Sequence, residues 1–119
     1  MKATYNQILS AREALAKLSD KALPIKESVH LARLIKKLNS ELEVFNDKQG
    51  QLFKKYGNPD DEGVYTIEQK NHAAFEAELK QLLDVEFDLG CDKVHIASNI
   101  DIEASVIIAT ESFIEFITE

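Results

Sequence analysis

The sequence has 119 residues, a formal net charge of −7 at pH 7 and one cysteine, Cys91. This length predicts one domain, residues 1–119, that is large enough to fold on a modest core. A single cysteine excludes an intrachain disulfide, and no apolar run reaches the length of a secretory core or a membrane span, so we expect a soluble, untargeted protein with no membrane partner.

Charge divides the chain at Tyr56. Residues 1–56 carry eleven Lys and Arg against six Asp and Glu, a balance of +5. Residues 57–119 carry three against fifteen, a balance of −12. Such asymmetry suits a charged partner, or it is neutralised within the chain or between copies of it.

The first predicted helix begins after Thr4. Thr4 and Gln7 have the spacing of a capping box, and apolar residues follow at helical intervals to about Ser19. A short link at residues 19–23 then leads to Pro24, which suits the first turn of a second helix. Two helices joined by so short a link predict an antiparallel helical hairpin.

The second predicted helix runs from Pro24 to Tyr56 and would be about 50 Å long. Its seam alternates steps of four and three and consists of Leu31, Ile35, Leu38, Leu42, Phe45, Gln49, Leu52 and Tyr56. Lys54 and Lys55 favour a helix end, Gly57 suits a left-handed cap, and Pro59 prevents continuation. A break between Asn46 and Gly50 is an alternative, because glycine weakens a helix.

Helix one is too short to cover the second half of this helix. The apolar residues beyond its reach form a predicted interaction surface for self-association, unless a third helix and a hairpin from later in the chain cover them. They are Leu42, Phe45, Leu52 and Tyr56.

The acidic half, residues 57–119, predicts mixed structure. A polar loop at residues 57–63 and a short extended piece at 64–67 precede a third helix at 68–84. Val85, Phe87 and Leu89 alternate with polar residues, and a turn at residues 90–93 leads to Val94 and Ile96, which indicates a β-hairpin.

After Ala97 the pattern is weaker. Ile100 and Ile102 continue an alternation, and Thr110 is a candidate cap for a final short helix. The expected fold class is α+β, with an N-terminal helical hairpin containing one long helix, a third helix and a small C-terminal antiparallel β element.

Candidate catalytic and metal-binding residues are few. His72 and Glu76 are four apart and could face one way on helix three, but two ligands do not define a metal site. Cys91 lies in a turn among carboxylates, which do not favour a reactive thiolate. The four glycines form no phosphate loop. We therefore expect no catalytic residues, no metal, no cofactor and no enzymatic activity.

A basic stripe marks the first half of the second helix. Its members advance by four, three and four residues, with Lys36 beside them, and they are Lys26, His30, Arg33 and Lys37. An exposed row of cations can meet phosphates, which makes nucleic acid an alternative partner. The stripe is short and the rest of the chain is acidic, so we expect no high-affinity nucleic-acid site.

Two runs carry a resemblance to a known family. They are KLSDKALPIKESVHLARLIKKLNSELEVFNDKQGQLFKKYGNPDDEG and FEAELKQLLDVEFDLGCDKVHIA. Over about residues 18–97 the chain resembles a family of small uncharacterised proteins encoded by tailed bacteriophages and prophages. The shared features are a long Lys/Glu-rich helix closing near KKYG, an acidic loop and the pattern LLDxExxxxxxKVxI.

This resemblance implies a phage context and assigns no residue a catalytic role. We therefore expect a non-enzymatic phage-encoded interaction protein in the host bacterial cytoplasm or the virion. It would be either a self-associating virion or assembly component, or an inhibitor of a host or defence protein. Its partner would be itself or another phage or host protein, and the alternative is a nucleic-acid-binding accessory protein acting through the basic stripe.

Overall fold

The computed structural model describes residues 1–97 and 102–117 of the chain and has an α+β fold. The predicted fold class is thereby confirmed. Its helices are α1 (Tyr5–Ser19), α2 (Ile25–Tyr56), α3 (His72–Leu83) and α4 (Ala104–Thr110), with a 3-10 turn at Gln69–Asn71.

The strands are short and form three separate pairs within the described residues. In chain order they are β1 (Lys2–Thr4), β2 (Gly57–Pro59), β3 (Tyr65–Ile67), β4 (Glu86–Asp88), β5 (Val94–Ala97) and β6 (Ile114–Ile117). β1 pairs with β4 and β2 with β3, both antiparallel, whereas β5 and β6 are parallel.

The helical hairpin of α1 and α2 is confirmed. The capping box forms as predicted, because the Gln7 N–H donates to Thr4 Oγ1 at 3.2 Å and the Thr4 N–H donates to Gln7 Oε1 at 2.9 Å. The ring of Tyr5, at the start of α1, lies 5.4 Å from that of Phe45, centroid to centroid. The start of α1 thus meets the second half of α2, while the end of α1 leads into the start of α2, so the two helices run antiparallel.

Helix α2 is continuous through Gly50, so the alternative of a break between Asn46 and Gly50 does not occur. Its 32 residues span about 48 Å and set the 55 Å length of the molecule. The buried positions follow the predicted seam closely, with Leu34 added to it, and are Leu31, Leu34, Leu38, Leu42 and Phe45. Gln49, Leu52 and Tyr56 are half-buried.

The prediction of an uncovered interaction surface is wrong for Leu42 and Phe45. They were expected to remain uncovered, but they are 6% and 4% exposed and belong to the core. The reason is that α1 reaches farther along α2 than its length suggested, since Tyr5 at its start packs on Phe45. Farther along, Phe75 of α3 packs on Phe53 and Tyr56, so α3 covers this end of α2.

The segment after α2 also differs from the prediction. Gly57 does not adopt the left-handed conformation, since its φ is −114° and its ψ 166°, which is extended backbone. It begins β2, so residues 57–59 are a strand and not the predicted loop. Glycine fits there because an added Cβ would lie 2.8 Å from the Phe53 carbonyl oxygen and 3.0 Å from Ile67 Cδ1.

The predicted hairpin between residues 85–89 and 94–96 is wrong, although both stretches contain strands. β4 pairs with β1 at the other end of the chain, where Phe87 lies opposite Ala3 and packs 4.8 Å from Tyr5, centroid to centroid. β5 pairs with β6, and α4 lies between them in sequence as in a βαβ unit. Each strand therefore buries its apolar side against a distant part of the chain.

The predicted C-terminal helix capped by Thr110 is also wrong. Thr110 ends α4, and its buried hydroxyl donates to the Val106 carbonyl oxygen at 2.7 Å. Phe113 is fully buried and Ile114 begins β6. Ile100, where the sequence predicts a continued alternation, lies outside the described residues.

Candidate functional site

A cleft of about 740 Å³ opens between the first half of α2 and the segment leading into β5. Leu34 and Val94 line its apolar part and are 2% and 6% exposed. Ile117, at the end of β6, also lines it and is 44% exposed. The volume lies within the range of about 300–1,000 Å³ that is typical of ligand pockets.

The predicted basic stripe forms one wall of this cleft. All four members line it, because they occupy the side of α2 next to Leu34, which is buried towards β5. The stripe therefore lines a concave surface and is more than the solvent-exposed face of an amphipathic helix.

The opposite wall adds two basic side chains that sequence reasoning did not assign to the stripe, Lys93 and His95. They lie more than 50 residues away in sequence, and only the packing of β5 against α2 brings them to the stripe. The alternation around Val94 and Ile96 was the one available signal, since it places His95 on the exposed side of a strand.

Charge in the cleft is positive and moderate. We use "cleft cations" for Lys26, Arg33, Lys37 and Lys93, and "cleft carboxylates" for Glu27 and Asp92. Among the described lining residues, these four positive and two negative charges give +2 when His30 and His95 are neutral. None of the ion pairs between described residues includes a cleft cation.

Two local details complete the cleft. Glu27 Oε2 is buried, and no hydrogen-bond donor among the described residues reaches it. His95 Nε2 lies 3.1 Å from Glu115 Oε2 across the β5–β6 pair. Glu115 therefore holds the imidazole of His95 at the rim.

The hairpin of β2 and β3 carries the second charged feature, at the other end of α2. Residues 60–64 form its turn, which we call the acidic tip. Asp60 Oδ1 accepts hydrogen bonds from the N–H groups of Glu62 and Val64 at 2.8 and 2.9 Å, which fixes the turn. Asp61 and Glu62 are exposed, and Val64 is 58% exposed.

The predicted interaction surface is divided by the fold. Leu42 and Phe45 lie in the core, whereas Tyr56 packs against Phe75. Leu52 lines a shallow depression of about 370 Å³ together with Lys48 and Glu78. These residues do not form one continuous exposed apolar patch.

The candidate chemical residues remain apart. His72 Nδ1 lies 3.1 Å from Glu76 Oε1 on the exposed face of α3, as an ordinary (i, i+4) pair. Cys91 is half-buried and lines the basic cleft. In residues 1–97 and 102–117, no group of three His, Cys, Asp or Glu side chains is placed to hold a metal ion.

Comparison of the chain with protein-family models, curated proteins and solved structures gives no match. Across the described ranges, no helix combines the length and apolar character needed to cross a bilayer.

Proposed function

We propose that this chain is a non-enzymatic interaction protein encoded by a tailed bacteriophage or prophage, acting in the host cytoplasm or in the virion. The observation that carries the proposal is the basic cleft. It combines an apolar floor with a charged rim, which is the composition of surfaces that bind protein segments.

The charges of the cleft suit binding better than catalysis. The cleft cations and both histidines are distributed along two walls of an open surface. Catalysis by a nucleophile or a general base needs a donor and an acceptor within hydrogen-bond reach of each other and of a substrate. The described hydrogen bonds within the cleft walls form no such relay, and the pair of His95 and Glu115 lies at the rim.

Two forms of this function are compatible with the division of the chain into a basic half, residues 1–56, and an acidic half, residues 57–119. In a self-associating assembly component, the basic cleft of one copy meets an acidic surface of another. In an inhibitor, the acidic half occupies a basic surface on a host or defence protein. The first form is favoured, because the cleft and the acidic tip lie at opposite ends of α2 in the same chain.

A nucleic-acid-binding role is the second candidate, and Lys93 favours it by extending the basic stripe across the cleft. The cleft carboxylates oppose it, since they would face a polyanion at close range. We therefore rank protein binding first.

Light scattering tests the proposal on the purified chain, alone and mixed with fractions of a host lysate. The decisive variant is Arg33→Ala/Lys37→Ala, in which both substituted side chains are exposed in the cleft. Its control is Lys36→Ala/Lys54→Ala, which removes the same charge from exposed positions of α2 outside the cleft.

In at least one of these conditions, we expect the wild-type chain and the control to scatter with a mass greater than that of one chain. The cleft variant should not show this increase. Equal masses for the wild-type chain and the cleft variant in every condition would overturn the proposal.

A further inference from the structure

We propose that the basic cleft receives the acidic tip of a second copy of this chain, so that copies associate head to tail. This inference rests on the proposed function and names the partner of the same cleft. It places residues 60–64 of one copy between the stripe of α2 and Lys93 of the next.

Charge is the first argument. The acidic tip carries three carboxylates, Asp60, Asp61 and Glu62, against the +2 of the cleft with its histidines neutral. The two surfaces nearly neutralise each other. None of the ion pairs between described residues includes Asp61, Glu62 or a cleft cation, so within the described part of the chain these groups have no ion pair to break on docking.

Shape and rigidity are the second argument. The tip is held by the two hydrogen bonds to Asp60 Oδ1 and by Gly63, whose φ of 81° favours glycine. A turn that is already ordered loses little conformational entropy on binding. Val64, which is 58% exposed, gives the tip an apolar side chain that matches the floor formed by Leu34 and Val94.

Distance excludes docking within one chain. Lys37, the last residue of the stripe, lies 19 positions before Tyr56 on the continuous helix α2, which is about 28 Å. The three-residue strands of the β2–β3 hairpin span only about 10 Å. The tip that fills a cleft therefore comes from another copy.

The contact joins different surfaces of the two copies, so it is heterologous. Each copy has one cleft and one tip, and repetition of the contact gives an open filament or a closed ring. A phosphate backbone is the weaker occupant, since it has no apolar side chain to pack on the floor formed by Leu34 and Val94, whereas the tip supplies Val64.

The test uses two variants that each remove one side of the contact. The cleft variant is Arg33→Ala/Lys37→Ala, and the tip variant is Asp61→Ala/Glu62→Ala. All four side chains are exposed, and Asp60, which fixes the turn, is kept. Glu43→Ala/Asp47→Ala is the control for the tip variant, because both residues are exposed on α2 outside the cleft and the tip.

Sedimentation velocity measures the mass over a concentration series up to about 1 mM, the weak end of specific binding. We expect the wild-type chain and the control to exceed the 13.4 kDa of one chain with rising concentration. Each variant alone should stay monomeric. An equal mixture of the two variants should form a complex limited to two chains, since only one intact cleft and one intact tip remain.

Several results would overturn the inference. These are a monomeric wild-type chain throughout, a tip variant that associates as the wild type does, or a mixture without the two-chain complex. Loss of the mass gain on nuclease treatment would also overturn it and assign the cleft to nucleic acid. If the wild-type chain is monomeric but gains mass with host fractions through the cleft, head-to-tail docking fails while the proposed function stands.

Discussion

The ring of Phe53 in α2 lies 5.2 Å from the ring of Phe75 in α3, centroid to centroid, with the planes tilted by 40°. This contact determines which surface the far end of α2 presents. The same Phe75 meets Tyr56 edge to face at 6.4 Å. One side chain of α3 therefore covers two aromatic residues of α2 that would otherwise extend beyond the reach of α1.

Replacing Phe75 by alanine should destabilise the protein and expose the end of α2. Phe75 is 8% exposed, and truncation of a buried phenylalanine costs about 3–5 kcal/mol of unfolding free energy. We expect about 3 kcal/mol, since both ring partners are only half-buried. Urea denaturation followed by circular dichroism measures the loss. Phe75→Leu is the control and should lose less, and equal stability of Phe75→Ala and wild type would contradict the packing role.

Gly57→Ala should destabilise the junction between α2 and β2. An added Cβ would lie 2.8 Å from the backbone oxygen of Phe53, which cannot move as a flexible side chain does. Overpacking of this kind costs about 1–3 kcal/mol. The matched control is Gly50→Ala, where nothing lies within 4 Å of the added Cβ and the helical position should gain about 1 kcal/mol. Thermal unfolding should thus shift in opposite directions, and a shift in the same direction would contradict the role of Gly57.

Acid should destabilise the fold through three carboxylates, of which those of Glu68 and Asp88 are exposed and that of Glu78 is half-buried. The Gly90 N–H donates to Asp88 Oδ1 at 2.8 Å and lowers the pKa of Asp88. Tyr56 and Lys55 lower the pKa of Glu78, and Lys70 and Asn58 lower the pKa of Glu68. A carboxyl with a lowered folded-state pKa stabilises the fold above its ordinary value, about 4, and that stability is lost as the pH falls through the folded pKa.

The corresponding measurement is the free energy of unfolding in urea from neutral pH to below pH 4. We expect it to fall on acidification and to fall less steeply in Asp88→Asn, which keeps an oxygen acceptor for Gly90 but cannot titrate. An identical acid dependence for Asp88→Asn would rule out its contribution.

Local signals in the sequence predicted much of the helical part. The capping box of Thr4 and Gln7 determined the start of α1, and the seam from Leu31 to Phe45 identified the buried face of α2. Both depend on residues within one or two turns, so spacing along the chain is enough to recognise them.

Long-range pairing was not accessible in the same way. β1 has three residues, too few to show an alternation of apolar and polar side chains, yet β4 pairs with it. β5 and β6 pair in parallel across an intervening helix, and the short turn at residues 90–93 suggested a hairpin instead. The same limit applied to the cleft. Its α2 wall could be recognised in the sequence as a basic stripe, whereas Lys93 and His95 come next to the stripe only through tertiary packing.

The protein should not bind nucleic acid through the cleft tightly enough to retard it in a gel at physiological ionic strength. Its net charge of +2 with neutral histidines can displace only a few counterions, and affinity for DNA depends on the number displaced. Gel retardation with short DNA and RNA at micromolar protein measures this. Retardation that disappears in Arg33→Ala/Lys37→Ala but persists in Lys36→Ala/Lys54→Ala would contradict the prediction.

Association of the chain should weaken as salt is added, while the stability of one copy changes little. Two described ion pairs with side chains on both partners join the basic half to the acidic half within the chain, Lys2 with Glu86 at 3.6 Å and Lys55 with Glu78 at 3.1 Å. Both are surface pairs, and such pairs contribute about 0–1 kcal/mol each. Ion pairs among the described residues therefore neutralise only a small part of the contrast between +5 and −12, which leaves charge available for contacts between copies.

Raising sodium chloride from about 10 mM to about 1 M shortens the Debye length from about 30 Å to about 3 Å, which screens the attraction between the cleft and the acidic tip. The same screening relieves repulsion within the acidic half, so the melting temperature of the monomer should stay level or rise slightly. Sedimentation mass and melting temperature, recorded on the same samples, separate the two effects. A mass that stays constant while salt rises would mean that apolar contacts hold the copies together, and the charge complementarity of cleft and tip would then have no part in assembly.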